Sequence, residues 1–233
     1  MNTLAIIPAR EGSKRVPQKN FRPFAGTTLT ELAIRQALGA TLLTHIALSS
    51  DSEEVLAIGR RFPEIIPLRR PAAISDDDAP AIAYVRHALV ALEDISLRFD
   101  AVVILQPSSP LRTSADIDAT LQLLLENPDA DSAVSVVKLD HMVHPLKLKT
   151  LEGKELRPYL EDETGRFAAQ ELPVVYVRNC AVYATWRRDL DTRPDVIGQK
   201  SLAYLMPPER SVDVNEWLDF EFAEYLYQKH DPR

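Results

Sequence analysis

Between Ile6 and Gly26 the sequence IIPAREGSKRVPQKNFRPFAG sets five basic residues, Arg10, Lys14, Arg15, Lys19 and Arg22, against one acidic residue, in a chain whose formal net charge is −7 at pH 7. An apolar run feeding a polar, glycine-containing, basic loop is suited to phosphate, because loop amides and nearby cations can surround the anion. The Ser13 hydroxyl can meet a phosphate oxygen there while Arg10 and Lys19 neutralise charge. Neither G-x-x-x-x-G-K-[ST] nor G-x-G-x-x-G occurs in the chain, so ATPase and dinucleotide readings lose their main support. A second polar loop, QPSSPLR, follows the apolar run Ala101 to Leu105. Its Gln106 both donates and accepts hydrogen bonds, which suits a sugar hydroxyl or carboxylate. Pro107 and Pro110 fix this loop, and Arg112 is placed to organise it from beneath.

The remaining composition narrows the chemistry. A single cysteine, Cys180, leaves no intrachain disulfide and no cysteine cluster for zinc or iron–sulfur, and reads as a small buried hydrophobe. The five histidines are scattered without the paired spacing of a zinc site. An acidic balance argues against a nucleic-acid polymer, which needs an extended basic face, and favours a small anionic ligand. No apolar run approaches the ~18 residues that span a bilayer, and Met1 to Arg10 lacks the length and flanks of a signal peptide, so a cytoplasmic protein without membrane contact is expected.

Elements that could position these loops follow from periodicity. Leu4 to Ile7, His45 to Ser49, Ile65 to Leu68, Ala101 to Leu105 and Ser132 to Val137 are short apolar runs of strand length. Between them lie amphipathic segments near Leu29 to Thr41, Glu53 to Arg61, Ala79 to Asp94 and Ala115 to Glu126. Thr28 with Glu31, Thr113 with Asp116, and Ser52 mark helix starts, and Asp76 to Asp78 are read as initiating the helix that follows them. This alternation predicts an α/β fold, a mostly parallel, doubly wound, Rossmann-like sheet covered on both faces. In such sheets ligands gather beyond the carboxyl ends of the strands, where strand order reverses. From Lys138 to Pro173 the rhythm breaks into a polar stretch with Gly153 and Gly165 as turn points, read as an inserted arm within one domain spanning residues 1–233. Strands at VVYVRNCAVYAT and SLAYLM and a last helix near Glu216 complete the chain.

In order along the chain, IPAREGSKRVPQKN, SSDSEE, RRPAAISDDDAP, LQPSSPLR, LPVVYVRNCAVYAT and SVDVNEWLDF resemble the motifs of the acylneuraminate cytidylyltransferases, which make CMP-activated nonulosonic acids such as CMP-sialic acid. The resemblance implies a nucleotidyltransferase-type fold, CTP as nucleotide, Mg²⁺ as cofactor, and a homodimer built through the arm. It places Ala9, Arg10 and Asn20 near the base, ribose or phosphates, makes Ser13, Lys14 and Arg70 nucleotide residues, and gives no such support to Arg15 or Arg22. By the same resemblance Asn179 and Tyr183 belong to a sugar-binding strand, with Cys180 where the family usually has glycine, and Lys147 faces the acid's carboxylate. An arginine common before the family's QxLP is absent, the local residues being Ala168, Ala169 and Gln170, with Arg166 the nearest substitute. The last motif implies two alternating metal carboxylates; here they are Asp213 and Asn215, which a strand would put on one face. Asn215 offers only a neutral oxygen to a hard cation, and Asp219 reads as part of the helix.

The implied reaction is attack of the anomeric hydroxyl of a 2-keto sugar acid on the α-phosphorus of CTP, giving CMP-sugar and pyrophosphate. Arg10, Lys19 and Asp213 would carry it through alignment and charge neutralisation, without a covalent intermediate. Two alternatives stay open: a related CTP-dependent transferase for a Kdo-like acid or a phosphonate, and a catalytically silent nucleotide-binding protein.

Overall fold

In the computed structural model, which describes all residues except 77, 161–171 and 231–233, the apolar runs assemble into a seven-stranded sheet. Its strands are β1 (Thr3–Pro8), β4 (His45–Ser50), β5 (Ile65–Arg69), β6 (Ala101–Ile104), β7 (Ser132–Lys138), β10 (Tyr176–Trp186) and β11 (Ser201–Leu205), in the order β11-β7-β10-β6-β1-β4-β5. A hairpin of β2 (Pro23–Phe24) and β3 (Thr27–Thr28) follows the basic loop, and a second, β8 (Lys149–Glu152) with β9 (Glu155–Pro158), lies in the arm. All neighbours in the main sheet pair parallel except β10, which runs antiparallel to both β6 and β7.

Each face of the sheet carries helices, so β1 is apolar on both sides. Ala5 and Ile7 pack with α1 (Leu29–Leu38), α2 (Glu53–Gly59) and α4 (Ser114–Leu125), whereas Leu4 and Ile6 pack with α3 (Ala81–Glu93). Thr113 and Asp116 form the complete capping box, and the Thr28 hydroxyl accepts from the Glu31 amide. Ser52 precedes α2 without capping it; its hydroxyl donates to Glu54 instead. Asp76 and Asp78 do not initiate α3, since Pro80 is its N-cap and its first turn holds no acidic residue; Asp77 lies outside the described residues.

A third cluster joins the basic loop to the chain's end. Val16, Phe24, Leu29 and Leu32 pack against Val214 and against Phe220 and Ala223 of α5 (Trp217–His230). The arm has no core of its own among the described residues. Gly153 turns its hairpin with φ +62°, and all eight hairpin strand residues are exposed. Gly165, Arg166 and Ala168 to Gln170 lie outside the described residues. No described helix is long and apolar enough to cross a membrane.

Candidate functional site

Strand order reverses between β1 and β6, since the chain steps outward through β4 and β5 and returns to the other side of β1. There the loops after β1 and β6 border a cleft of about 620 Å³. It is lined by Arg10, Ser13, Lys14, Arg15, Lys19 and Asn20 of the basic loop, by Arg70, Asp76 and Tyr84, and by Gln106, Pro107 and Ser108 of the loop after β6, which form its rim. Eight of the thirteen residues named from the sequence therefore converge, namely Arg10, Ser13, Lys14, Lys19, Asn20, Arg70, Gln106 and Asn215.

The loop is held by its own polar groups. The Glu11 amide donates to Asp51 Oδ1 at 2.9 Å, and Asn20 Nδ2 donates to the Arg10 carbonyl at 2.7 Å. Thr30 closes the loop's exit, its amide and hydroxyl both donating to the Asn20 carbonyl. Asn20 is thus a brace as well as a wall residue. Lys19 Nζ donates to the Val214 carbonyl at 2.6 Å; burial lowers its pKa, and Asp213 opposes that shift. Arg70 is buried, bonded to Ser49 through Nε (3.1 Å to Oγ) and Nη2 (2.9 Å to O), with its guanidinium carbon 4.7 Å over the centre of the Tyr84 ring. Desolvation lowers its pKa, which the nearby Tyr84 and Asp51 partly offset. Ala9 is not on the wall. Its side chain is in the core and its amide donates to the Ser49 carbonyl, because β1 pairing continues one residue past Pro8.

Beneath the rim Arg112, 2% exposed, donates through Nη1 to the carbonyls of Gln106 (2.5 Å), Ala181 (3.2 Å) and Ser109 (3.3 Å). Burial pushes it down to about 9, with Asp116 opposing. It organises the Gln106 loop as the sequence suggested.

Near the metal motif the structure departs from expectation. Val212 to Asn215 form no strand; the segment is pinned by the Val214 amide on the Ser108 carbonyl and by Lys19. Asp213 and Asn215 do lie side by side, but Asn215 Nδ2 donates to Asp213 Oδ2 at 2.8 Å while its Oδ1 accepts from Arg15 Nη2 at 3.3 Å. Flipping that amide would set oxygen against carboxylate and NH₂ against guanidinium, so the partners fix its orientation. Asn215 is therefore a link from Arg15 to Asp213, and its oxygen is not turned toward a shared cation. Asp213 Oδ1 is buried and has no hydrogen-bond partner, and no three His, Cys, Asp or Glu cluster among the described residues. The chemistry of that one orphaned carboxylate oxygen fits a ligand of a hard cation such as Mg²⁺. Asp219 caps the segment, accepting from the Asn215 and Glu216 amides.

Asn179, read from the sequence as a sugar residue, sits away from the cleft lining. It is buried at a bulge where β10 shifts register against β7, and its Oδ1 accepts from Ser135 (2.6 Å) while its Nδ2 donates to Ser211 (2.9 Å). Its side chain ties three segments together and does not line the cleft. Cys180 beside it has φ +61°, the left-handed conformation that glycine adopts freely, which explains the family's preference at this place. Its thiol lies against Asp213 and Tyr183, and burial followed by Asp213 raises its pKa. Tyr183 opens onto a side pocket shared with Gln106. Lys147 sits in a short turn of the arm (Pro145–Lys147) and does not line the cleft of its own chain. Arg15, Asp76 and Tyr84 are wall residues that the sequence reading passed over; only their nearness to motif residues hinted at it.

Residues 4–231 match the family described as cytidylyltransferase. The chain is 29% identical to a post-translational flagellin modification protein B of Campylobacter coli, covering 97% of this chain and 95% of that one. It is 27% identical to a pseudaminic acid cytidylyltransferase of Campylobacter jejuni (98% and 97%). With an N-acylneuraminate cytidylyltransferase of Escherichia coli it shares 28% identity over 97% of this chain and 52% of the longer relative. A solved CMP:2-keto-3-deoxy-manno-octonic acid synthetase complexed with CTP superposes with a TM-score of 0.70 at 15% identity, covering 99% of this chain and 100% of that one, which shows a shared fold. With the basic loop at the switch point of that fold and the match running nearly end to end, the chain belongs to the cytidylyltransferase family and is a nucleotidyltransferase, as its motifs led us to expect.

Proposed function

We propose that the chain transfers CMP from CTP to the anomeric hydroxyl of a nonulosonic, sialic-acid-like sugar acid and releases pyrophosphate. The observation that carries this reading is the lining of the cleft, which brings four cations of the β1 loop, Arg10, Lys14, Arg15 and Lys19, together with the neutral Gln106 of the loop after β6. Relatives named for pseudaminic and N-acylneuraminic acids support the acceptor class.

In the step itself the anomeric oxygen forms a bond to the α-phosphorus, the bond to the β-phosphate bridging oxygen breaks, and the hydroxyl proton leaves to solvent. Arg10, Lys14 and Lys19 neutralise the triphosphate, and Ser13 with loop amides orients it. Arg70, held rigid by Ser49 and Tyr84, borders the nucleotide. Gln106, fixed by Arg112 through its carbonyl, positions the acceptor. Asp213 Oδ1 would hold Mg²⁺, which supplies charge neutralisation on the phosphates when bound.

The arm supports a homodimer. Leu151, Leu156 and Tyr159 are 68%, 70% and 61% exposed, an apolar surface that a second copy would cover. In that assembly Lys147 would border the partner's acceptor site. A cytoplasmic location is part of this reading. Pyrophosphate release across CTP, ATP, GTP and UTP, with a panel of nonulosonic acids and Kdo and products read by mass spectrometry, tests the reading. CTP-selective formation of a CMP-sugar is expected; equal use of all four nucleotides, or no product with any acid, would sink it. Light scattering across protein concentration tests the dimer, and a fully active monomer would exclude it.

A further inference from the structure

Beyond Gln106 the cleft continues into a side pocket of about 130 Å³, whose walls include Ile104, Tyr183, Ile197 and two charged residues, Arg178 and Asp195. Both charges are held on fixed backbone. Arg178 is the last residue of β10 paired to β7 before the bulge, opposite Val136. Asp195 follows a loop that Arg86 pins through the carbonyls of Leu190, Asp191 and Arg193, and its Oδ1 accepts from the Val196 amide at 2.6 Å. Neither charge is spent on the other. Among the described residues no hydrogen bond or ion pair engages the Arg178 guanidinium, and no cation is bonded to Asp195. The other arginines nearby are committed: Arg70 to Ser49, Arg86 to the loop carbonyls, Arg112 to the rim, and Arg193 to Asp131.

A pocket with an uncommitted guanidinium and a carboxylate selects a molecule with an anion at one end and hydrogen-bond donors at the other. The guanidinium fork matches a carboxylate through two parallel bonds. The Asp195 carboxylate repels an anion and accepts from hydroxyl or amide N–H groups, so a polyhydroxy acid enters in one orientation only. None of the β1-loop cations that would meet the triphosphate lines this pocket, which leaves it to the acceptor. Its volume suits part of a sugar acid, with the remainder reaching past Gln106 toward the phosphates.

We propose that Arg178 binds the carboxylate of the acceptor and that Asp195 binds a hydroxyl or acylamino N–H at its other end. This assignment rests on the acceptor being a sugar acid, as proposed above. It also gives the chain, from within a single subunit, a cationic partner for the acid that the motif before Leu172 does not supply.

The test uses the full chain with Mg²⁺ and saturating CTP. N-acetylneuraminic, pseudaminic and legionaminic acids and Kdo are compared by pyrophosphate release, and the best acid is titrated against the parent, Arg178→Ala, Arg178→Lys and Asp195→Asn. The carboxamide of that acid is run in parallel. Arg178→Ala should raise the acceptor KM by ~10²-fold, the scale for an orphaned charge partner, and leave the CTP KM within about twofold. Arg178→Lys should recover part of the loss, and Asp195→Asn should raise the acceptor KM by about tenfold. With the carboxamide, parent and Arg178→Ala should be equally poor. An unchanged acceptor KM in Arg178→Ala, an equal rise in the CTP KM, or a carboxamide that still separates the two proteins would overturn the assignment. Should Arg178→Ala not fold, the lysine variant and the carboxamide decide. A parent that uses none of the acids defeats the proposed function and this assignment together; a parent that works with an indifferent Arg178 defeats only the latter.

Discussion

Asn215→Asp puts the reading of the metal loop at risk most directly. The substitution changes a donated hydrogen bond of 2.8 Å to Asp213 Oδ2 into two facing carboxylate oxygens. At that separation an effective dielectric of about 20 gives roughly 6 kcal/mol of repulsion, before solvent reduces it. Attraction to Arg15, whose side chain is 63% exposed, returns at most about 1 kcal/mol. Both carboxylates are partly solvated, so a net loss of ~1–3 kcal/mol without divalent cation is the expected scale. A chain of this length shifts its Tm by about 2–4 °C per kcal/mol, so the variant in EDTA should melt roughly 2–12 °C below the parent.

Adding Mg²⁺ should reverse the order of effects. A cation between two carboxylates is bound more tightly than one on Asp213 alone, and binding to the native state at 100 times Kd stabilises by about 2.7 kcal/mol. The variant's Tm should therefore climb with Mg²⁺ further than the parent's, and half-maximal pyrophosphate release should need less magnesium. Differential scanning fluorimetry with and without EDTA reads the first effect and a magnesium titration of activity the second. If the variant melts with the parent in EDTA and gains nothing extra from Mg²⁺, Asn215 does not face Asp213 as described and the cation site lies elsewhere.

Three further outcomes follow from other contacts. Arg10→Ala should lose transfer by ~10²-fold or more, whereas Arg15→Ala, which removes a contact to Asn215, should lose far less; equal losses in steady-state kinetics would mean that bulk loop charge is what matters. Asp116 is almost fully buried, and although burial alone would raise its pKa, bonds from Arg210 and Thr113 hold it below 3.8. Asp116→Asn should cost ~2–4 kcal/mol at neutral pH, and because the folded value is the lower one, the parent's advantage should persist above pH 3.8 and vanish as pH falls through the folded value; a pH-independent difference in denaturant midpoints would contradict this. Cys180→Gly should leave stability within about 1 kcal/mol, since relief of ~1–2 kcal/mol of left-handed strain offsets ~0.5–1 kcal/mol of added chain entropy and the lost thiol contacts, while Cys180→Val should destabilise clearly; calorimetry in which valine matches glycine would remove the strain argument.

What periodicity could reveal was legible. The parallel strands and four helices appear within a few residues of expectation because each buries an apolar face whose spacing is written locally. The cleft was legible for the same reason: β1 and β6 are the strands whose following loops carry Arg10 and Gln106, and their adjacency places those loops together. Illegible were residues whose direction depends on partners distant in sequence. Asn179 was assigned to sugar, but the bulge in β10 turns it inward to Ser135 and Ser211. Asp76 was assigned to a helix start that Pro80 makes instead. Asn215 and Asp213 were correctly placed side by side, yet the amide's orientation is set by Arg15, two hundred residues earlier in the chain.

The concentration of positive charge in an acidic protein is explained by where the fold puts it. Arg10, Lys14, Arg15 and Lys19 face one cleft at the carboxyl end of β1, in a chain whose net charge is −7. A long polyanion would reach beyond the cleft and meet that net negative charge; a compact triphosphate needs only the cleft, where field lines from low-dielectric walls converge. Burial of Lys19 sharpens this, since desolvation disfavours its charged form and the nearby Asp213 only partly offsets that. An incoming phosphate would act in the same direction as Asp213. Lys19 should therefore be most firmly protonated when nucleotide is bound, which places the cation's full effect at the stage where charge on the phosphates must be neutralised.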